Sequence, residues 1–360
     1  MTNTHNYAVI LAGGRGTRFW PRSRTRRAKQ VLDVVGQGSL IQQTVERIER
    51  LLPRERIWVL TNSYLRDEIA RQLPGVPKRQ ILAEPVQRNT AAPIGMAAKI
   101  LSEIDPDATM GVFPADHFIA RPSAWARVAR AAYKCAAAGR MAILGIQPRW
   151  AETGYGYIEF PRGRMQPGSL EPVEIVRFRE KPDLETAKQF VEAGHFAWNA
   201  GMFFWRADVL LGALREHLPA TAALLDSLPP FSSKKFAAAL AGAFPRCESI
   251  SVDYAVLERA RGIAGFAVGD IGWNDVGSWD AVYELLPKDG QGNAVKGDAL
   301  LHGASGNLVD APGKLVALLG VRDLIVVETP DALLIAPRGE GQRVGDIVKA
   351  LEKRKHEDLL

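Results

Sequence analysis

Cysteine is nearly absent: the 360 residues contain two, Cys135 and Cys247. A pair so sparse makes no disulfide framework, and both read as small buried hydrophobes of a reducing cytosol. Long apolar runs are missing, which excludes a membrane-spanning helix. The opening stretch MTNTHNYAVILAGG lacks a cationic leader and a cleavage site, so the expected location is cytoplasmic, with no membrane partner. Six histidines (His5, His117, His195, His217, His302, His356) are scattered along the chain, which argues against a histidine metal site. Two phosphate loops are lacking as well. No Gly-Lys pair is followed by Ser or Thr, so there is no P-loop. Counting from Gly14, the third glycine of a dinucleotide fingerprint would fall at Phe19, which removes the case for a dehydrogenase.

What is present begins at residues 11–30, LAGGRGTRFWPRSRTRRAKQ, directly after an apolar run. A strand emptying into a glycine-rich cationic loop is a way to hold a polyphosphate. Gly13, Gly14 and Gly16 let backbone N–H groups approach phosphates, Arg15, Arg18 and Lys29 supply charge, and Leu11, Ala12 and Thr17 are nucleotide-binding candidates of the same stretch. The net charge of +6 is spread along the chain except in residues 15–29, where seven cations have no acid among them. Such a block raises nucleic acid as a partner. Here it lies inside a glycine loop with no aromatics beyond Phe19 and Trp20, so a small polyphosphate is the better match and no nucleic acid is expected.

With 47% hydrophobic and 24% charged residues, the chain has the composition of a globular protein long enough for two domains. Strand patterns at 7–11, 56–60, 80–83, 109–113 and 141–146 alternate with helical patterns at 39–52, 63–73, 90–104 and 123–138. This predicts an α/β fold, a Rossmann-like, mostly parallel mixed sheet flanked by helices, with ligands at the C-terminal ends of the strands. Gly13, Glu84 and Asp116 all sit there. From about residue 154 the pattern turns to edge or antiparallel strands (155–160, 173–178, 202–205), then helices (207–217, 220–228, 234–241, 252–261) and a strand at 264–268. A catalytic domain over 1–286 follows. Residues 287–360 read as a small C-terminal β-rich, β-helix-like tail, with strands at 307–309, 314–319, 324–328 and 332–336 and a closing helix at 344–354. No hexapeptide repeat long enough for a full β-helix is visible.

Asp116, at the end of the apolar run GVFPAD, and Asp275, in the rigid-looking turn IGWNDVGSW, are carboxylates suited to one Mg²⁺ whose other positions go to phosphate oxygens and water. Capping of the next helix is the bland alternative for Asp116. Glu84 follows a strand, and guanine alone among the usual bases offers N1–H and N2–H₂ side by side to a carboxylate; backbone groups of the same loop compete for that role. Asn89 caps the helix beginning at Thr90, contacts the base, or does both. For Asp253 the reading is structural, as an N-cap or a buttress.

The run GGRGTR, with Pro21 and Lys29-Gln30 behind it, resembles the opening of the sugar-phosphate nucleotidyltransferases, GGxGTRLxPLSxxxPKQ. Among the departures are Arg22, where Leu is usual, and Ala28, where Pro is usual. The ordered set EPVQRNTAAP, FPADH, GYGYIE, EKP, WNAGMF and WNDVGSW is similar to the guanylyltransferases that act on mannose 1-phosphate. The resemblance implies GTP and mannose 1-phosphate as substrates, GDP-mannose and pyrophosphate as products, and Mg²⁺ on Asp116 and Asp275. It implies Arg18 and Lys29 at the triphosphate, and Glu84, Asn89 and Thr90 at the base. Lys181 would take the sugar phosphate, and Glu180, Gly154 and Asn199 the sugar. Trp198 and Trp205 read as core rather than stacking platforms. A related enzyme of other sugar or base specificity, and a silent nucleotide-sugar-sensing subunit, are the alternatives. The second should have lost Asp116, Asp275, Lys29 or Lys181, and all four are present. The apolar tail suggests a homodimer.

Overall fold

Four strands carry the first half of the chain: β1 (Asn6–Leu11), β2 (Ile57–Asn62), β3 (Ile81–Glu84) and β4 (Thr109–Pro114). They lie in the order β3-β2-β1-β4 and are parallel throughout. The structure, a computed structural model, describes residues 4–360; residues 1–3 of the stretch read for a leader lie outside the described residues. The run IWVLT of β2 is buried without alternation because helices cover both faces of the sheet. Those helices are α1 (Leu40–Ile48), α2 (Arg66–Gln72), α3 (Ala91–Ile104) and α4 (Pro122–Ala137). Helix α1 starts at a capping box in which Ser39 and Gln42 satisfy each other's backbone N–H groups.

Beyond β4 the sheet changes sense. Strand Phe196–Arg206 runs antiparallel to both β4 and Ala142–Ile146, and Ala264–Val268 is parallel to the latter. Strand Phe196–Arg206 begins six residues before the expected 202, because its first part pairs with Tyr157–Glu159. Its register shifts between Asn199 and Phe203, with Gly201 at φ +64°, so the WNAG run forms an irregularity inside a strand. Such a shift re-aims a side chain. The helix expected over 252–261 shortens to one wide turn, Asp253–Leu257.

A two-residue ribbon pairs Phe118–Ile119 with Trp273–Asn274, Asn274 facing Phe118. Small as it is, it brings the segment after Asp116 beside the segment before Asp275.

Residues 294–337 form a second sheet: Ala294–His302, Leu308–Leu319 and Leu324–Thr329 are parallel, and Ala332–Pro337 closes it antiparallel. The strand Ala294–His302 is a feature that sequence reasoning missed, since Lys296-Gly297-Asp298 breaks its pattern. The runs 307–309 and 314–319 belong to one strand. Its register jumps from Gly297–Ala311 to Asp298–Leu315, and Pro312 sits in the jump, where no ladder N–H is needed. Helix Val344–Lys353 follows.

Two hydrophobic clusters pack on the two faces of the large sheet. A third joins Phe19, Trp20, Val34 and Leu40 to Trp279, Leu308, Ile325 and Val348, so the first turn after the glycine loop shares a core with the C-terminal sheet. Among the described residues no helix is long and apolar enough to cross a membrane.

Candidate active site

Strand β1 empties into the glycine loop, and side chains, two of them buried, pin that loop by its carbonyls. Gln30 Nε2 donates to Ala12 O at 2.7 Å and Gly14 O at 3.1 Å, and Thr61 Oγ1 donates to Ala12 O at 2.9 Å. Gln87 Nε2 donates to Gly13 O at 2.8 Å. With these carbonyls tied, and the Ala12 N–H donating to Leu60 O at 2.8 Å, the Gly13 and Gly14 N–H groups have no partner among the described residues and suit an anion. Gly16 has φ +63°, and a Cβ there would collide with Lys29. Around Gly14 a Cβ would meet nothing within 4 Å. Packing therefore fixes Gly16, whereas Gly14 borders open space.

A cavity of about 280 Å³ opens against this loop, lined by Leu11, Ala12, Gly13, Gly14, Glu84, Asn89 and Thr90, with Leu60, Gln87 and Pro93. All seven of the first group carry the sequence expectation for a nucleotide; Thr17, the remaining expected residue besides Gly16, lies outside it, in the turn Thr17–Phe19. Burial pushes the Glu84 carboxyl up to about 8, against the pull of the Arg88 backbone N–H. Asn89, at φ +56°, makes no cap to α3. The Thr90 hydroxyl accepts from Val252 N–H at 2.9 Å, which ties this loop to the wide turn below it. Arg88, unassigned from sequence, hydrogen-bonds Pro245 O and is a strut.

The ribbon brings Asp116 and Asp275 to the same rim, and Lys29 lies between them. Its Nζ is 2.9 Å from Asp116 Oδ2 and donates to Asp275 O at 2.7 Å. Loss of solvent raises the Asp116 carboxyl, but the neighbouring Lys29 and His117 outweigh this and hold it below its ordinary value. Burial pushes the His117 imidazole down to about 4 against the pull of Asp116 and Asp275, and its Nδ1 accepts from Trp273 Nε1 at 3.2 Å. Asp116 caps no helix: α4 starts at Arg121 and Pro122. Among the described residues no three His, Cys, Asp or Glu side chains cluster as a metal cage. The Asp116 carboxylate, which faces the Lys29 ammonium, and the Asp275 carboxylate form an all-oxygen donor set that fits a divalent ion sharing phosphate oxygens.

The third part of the site follows the strand Arg177–Arg179. Lys181, at φ +43°, is half exposed and 3.2 Å from Glu180 Oε1. Glu180 is 8% exposed and its Oε2 has no hydrogen-bond partner among the described residues. Burial raises its carboxyl, offset in part by Lys181. A Cβ on Gly156 would stand 2.5 Å from that Oε2, so the second glycine of GYGY makes room for it. Asn199 Nδ2 donates to Asp253 Oδ1 at 3.0 Å, and Asn199 Oδ1 accepts from Gly201 N–H at 2.9 Å. Asp253 is thus a buttress. Desolvation and the Glu180 charge push it up to about 7. The Gly154 N–H is taken by Glu152 Oε1 at 2.8 Å.

Tyr155 is the residue that sequence reasoning left without a role. Burial and the nearby Asp275 charge raise its hydroxyl, and its carbonyl accepts from Lys181 N–H at 3.2 Å, so it lies between the carboxylate rim and the Lys181 end. Trp198 and Trp205 are fully buried, as the core reading expects. The basic block is mostly neutralised: Arg15 pairs with Glu352, Arg22 with Asp310, Arg24 with Asp331 and Lys29 with Asp116. Arg18 is exposed, with no ion pair among the described residues.

Comparisons with known proteins give the family. Residues 7–292 match the family described as nucleotidyl transferase, and residues 299–351 match the MannoseP isomerase/GMP-like beta-helix domain. A mannose-1-phosphate guanylyltransferase of Escherichia coli is 38% identical over 96% of this chain and 73% of its own length. One of Klebsiella pneumoniae is 37% identical, over 97% of this chain and 74% of its own. A crystal structure from Thermus thermophilus, named a mannose-1-phosphate geranyltransferase, superposes with a TM-score of 0.84 at 30% identity, covering 97% of this chain and all (100%) of that one.

Proposed function

The chain belongs to the nucleotidyl transferase family, alongside its mannose-1-phosphate guanylyltransferases, and on that premise we propose that it transfers GMP from GTP to α-D-mannose 1-phosphate. GDP-mannose and pyrophosphate are the products. The observation that carries the base assignment is the cavity in which the Glu84 carboxyl faces the glycine loop. Ionised, that carboxylate accepts both guanine donors.

The reaction needs no covalent intermediate and no general base, because the sugar phosphate is already ionised. A phosphate oxygen of mannose 1-phosphate forms a bond to the α-phosphorus in line, and the α–β bridging bond breaks to release pyrophosphate. Lys181 holds the sugar phosphate, and Glu180 and Asn199 hold sugar hydroxyls. Arg18 and Lys29 meet the charge that builds on the leaving phosphates. The family generally uses a divalent metal; here we assign Mg²⁺ to Asp116 and Asp275, where it would supply further charge neutralisation at the phosphates. The reaction is assigned to the cytoplasm, in keeping with two unpaired cysteines. A homodimer is assigned to the outer face of the C-terminal sheet, where Leu315, Leu319, Leu333 and Ile335 stay exposed; sedimentation equilibrium reads it.

The test is pyrophosphate release with Mg²⁺ and mannose 1-phosphate, comparing GTP with ATP, UTP, CTP and dTTP. Release with GTP alone supports the whole proposal. Release with another nucleotide keeps the chemistry and overturns the role of Glu84. No release with any sugar phosphate favours the sensing subunit.

A further inference from the structure

Five side-chain tethers join the C-terminal part of the chain to the glycine loop and the segment that follows it. Glu352, on helix Val344–Lys353, pairs with Arg15 at 3.0 Å, and Asp331 pairs with Arg24 at 3.0 Å. Lys296 Nζ donates to Asp33 O at 2.8 Å, and Trp20 Nε1 donates to Leu359 O at 3.0 Å. The most enclosed tether is Arg22 to Asp310, whose carboxylate side chain is 3% exposed. Arg22 also stands where the family's usual residue is Leu. Beneath these bonds, Phe19 and Trp20 share one apolar cluster with Leu308, Ile325 and Val348.

The tethers bracket one residue. Arg15 and Arg22 are drawn away by acids of the C-terminal part, and the turn Thr17–Phe19 between them leaves Arg18 unpaired among the described residues. A cation held beside the glycine loop, but not neutralised there, is what an incoming triphosphate would meet.

We propose that the C-terminal sheet and helix position the phosphate loop, and that Asp310 and Glu352 are positioning residues which act through Arg22 and Arg15 to hold Arg18 free for the nucleotide triphosphate. The proposal rests on the reading of the glycine loop as the triphosphate site. Breaking a tether displaces Arg18 without touching Glu180, Lys181 or Asn199, so the nucleotide terms move and the sugar terms stay. A misplacement of about an ångström at a charge-stabilising group costs up to about a hundredfold.

The experiment uses the full chain with Asp310→Asn and, separately, Glu352→Gln, under steady-state kinetics with each substrate varied. Asp310→Asn leaves Arg22 enclosed without its counter-charge. Its kcat/KM for the nucleoside triphosphate should fall about tenfold or more, with KM for the sugar phosphate within twofold. Arg22→Leu in the Asp310→Asn background should recover at least half of that loss on a logarithmic scale, because the unpaired charge is gone. Glu352→Gln breaks an exposed pair that contributes little to folding. It should raise KM for the triphosphate two- to fivefold at low salt and converge on wild type as salt screens the pair. If Asp310→Asn does not fold, Glu352→Gln decides alone. Equal losses for both substrates, or no change in the triphosphate terms of either variant, overturn the proposal. A wild-type enzyme inactive with every triphosphate would instead overturn the reading of the loop.

Discussion

Lys29 Nζ lies 2.9 Å from the Asp116 carboxylate while donating to the Asp275 backbone carbonyl, so one cation spans the two acidic turns of the site. Such a cation neutralises the rim before any nucleotide arrives. Phosphate oxygens entering the site would compete with Asp116 for it.

Lys29→Ala should therefore lower kcat by about two to three orders of magnitude, the usual cost of removing one charge-stabilising donor. The fold should survive, because Asp116 is 35% exposed and can hydrate once its partner is gone. Pyrophosphate release and a thermal melt check both halves. A Lys29→Ala enzyme within tenfold of wild type would remove Lys29 from the mechanism.

Glu84 has a folded-state carboxyl raised to about 8, far above an unfolded glutamate. The folded chain thus binds the extra proton between about pH 4.5 and 8, and stability falls as pH rises through that window. Glu84→Gln, which cannot ionise, should melt higher than wild type at pH 8.5 and equal to it at pH 4.5. Nucleotide affinity should move the opposite way. Two guanine donors favour the carboxylate, so GTP binding to wild type should tighten from pH 6 to pH 8 while Glu84→Gln stays flat. Calorimetric titrations at the two pH values test this, and a flat wild-type profile would sink the contact.

Much of this site was legible because its residues sit where strands end. The apolar runs that became β1, β3 and β4 deliver the glycine loop, Glu84 and Asp116 to one rim of a parallel sheet, and parallel order follows from alternating strand and helix. What stayed hidden depends on pairing between distant segments. The ribbon at Phe118 and Asn274 is too short to have a pattern, yet it joins the turns that carry Asp116 and Asp275. The Asn199 shift, the strand Ala294–His302 and the Arg22–Asp310 pair are likewise products of register and packing. Tyr155 reads as one aromatic among four in its neighbourhood until its carbonyl is found accepting from Lys181 N–H.

Gly14 and Gly16 separate packing from ligand approach. Gly16→Ala must place a Cβ against Lys29 and hold a left-handed backbone, which alone costs about 1–2 kcal/mol. It should lower the melting temperature by several degrees and lose activity with the fold. Gly14→Ala meets no atom within 4 Å, so its melt should match wild type. Its GTP KM should nonetheless rise about tenfold or more, since a methyl group then stands between the loop N–H groups and the phosphates. Equal GTP KM values for Gly14→Ala and wild type would mean that the phosphates do not lie along this loop.

Asp253 offers a test at the opposite end, because it faces Glu180 and also fixes the Asn199 amide. Desolvation and Glu180 lift its carboxyl to about 7. The folded state therefore gains a proton relative to the unfolded chain between about pH 4 and 7, and stability is lost as pH rises across that range. Asp253→Asn retains an oxygen to accept from Asn199 Nδ2 and removes the charge opposite Glu180. It should melt higher than wild type at pH 8, equal it at pH 4, and keep the KM for mannose 1-phosphate within threefold. Asp253→Ala removes the acceptor, so Asn199 can turn and release its hold on Gly201 N–H. The sugar-phosphate KM should then rise about tenfold, with the GTP KM unchanged. If Asp253→Ala moved both KM values together, Asp253 would be a support of the whole domain rather than of the sugar pocket.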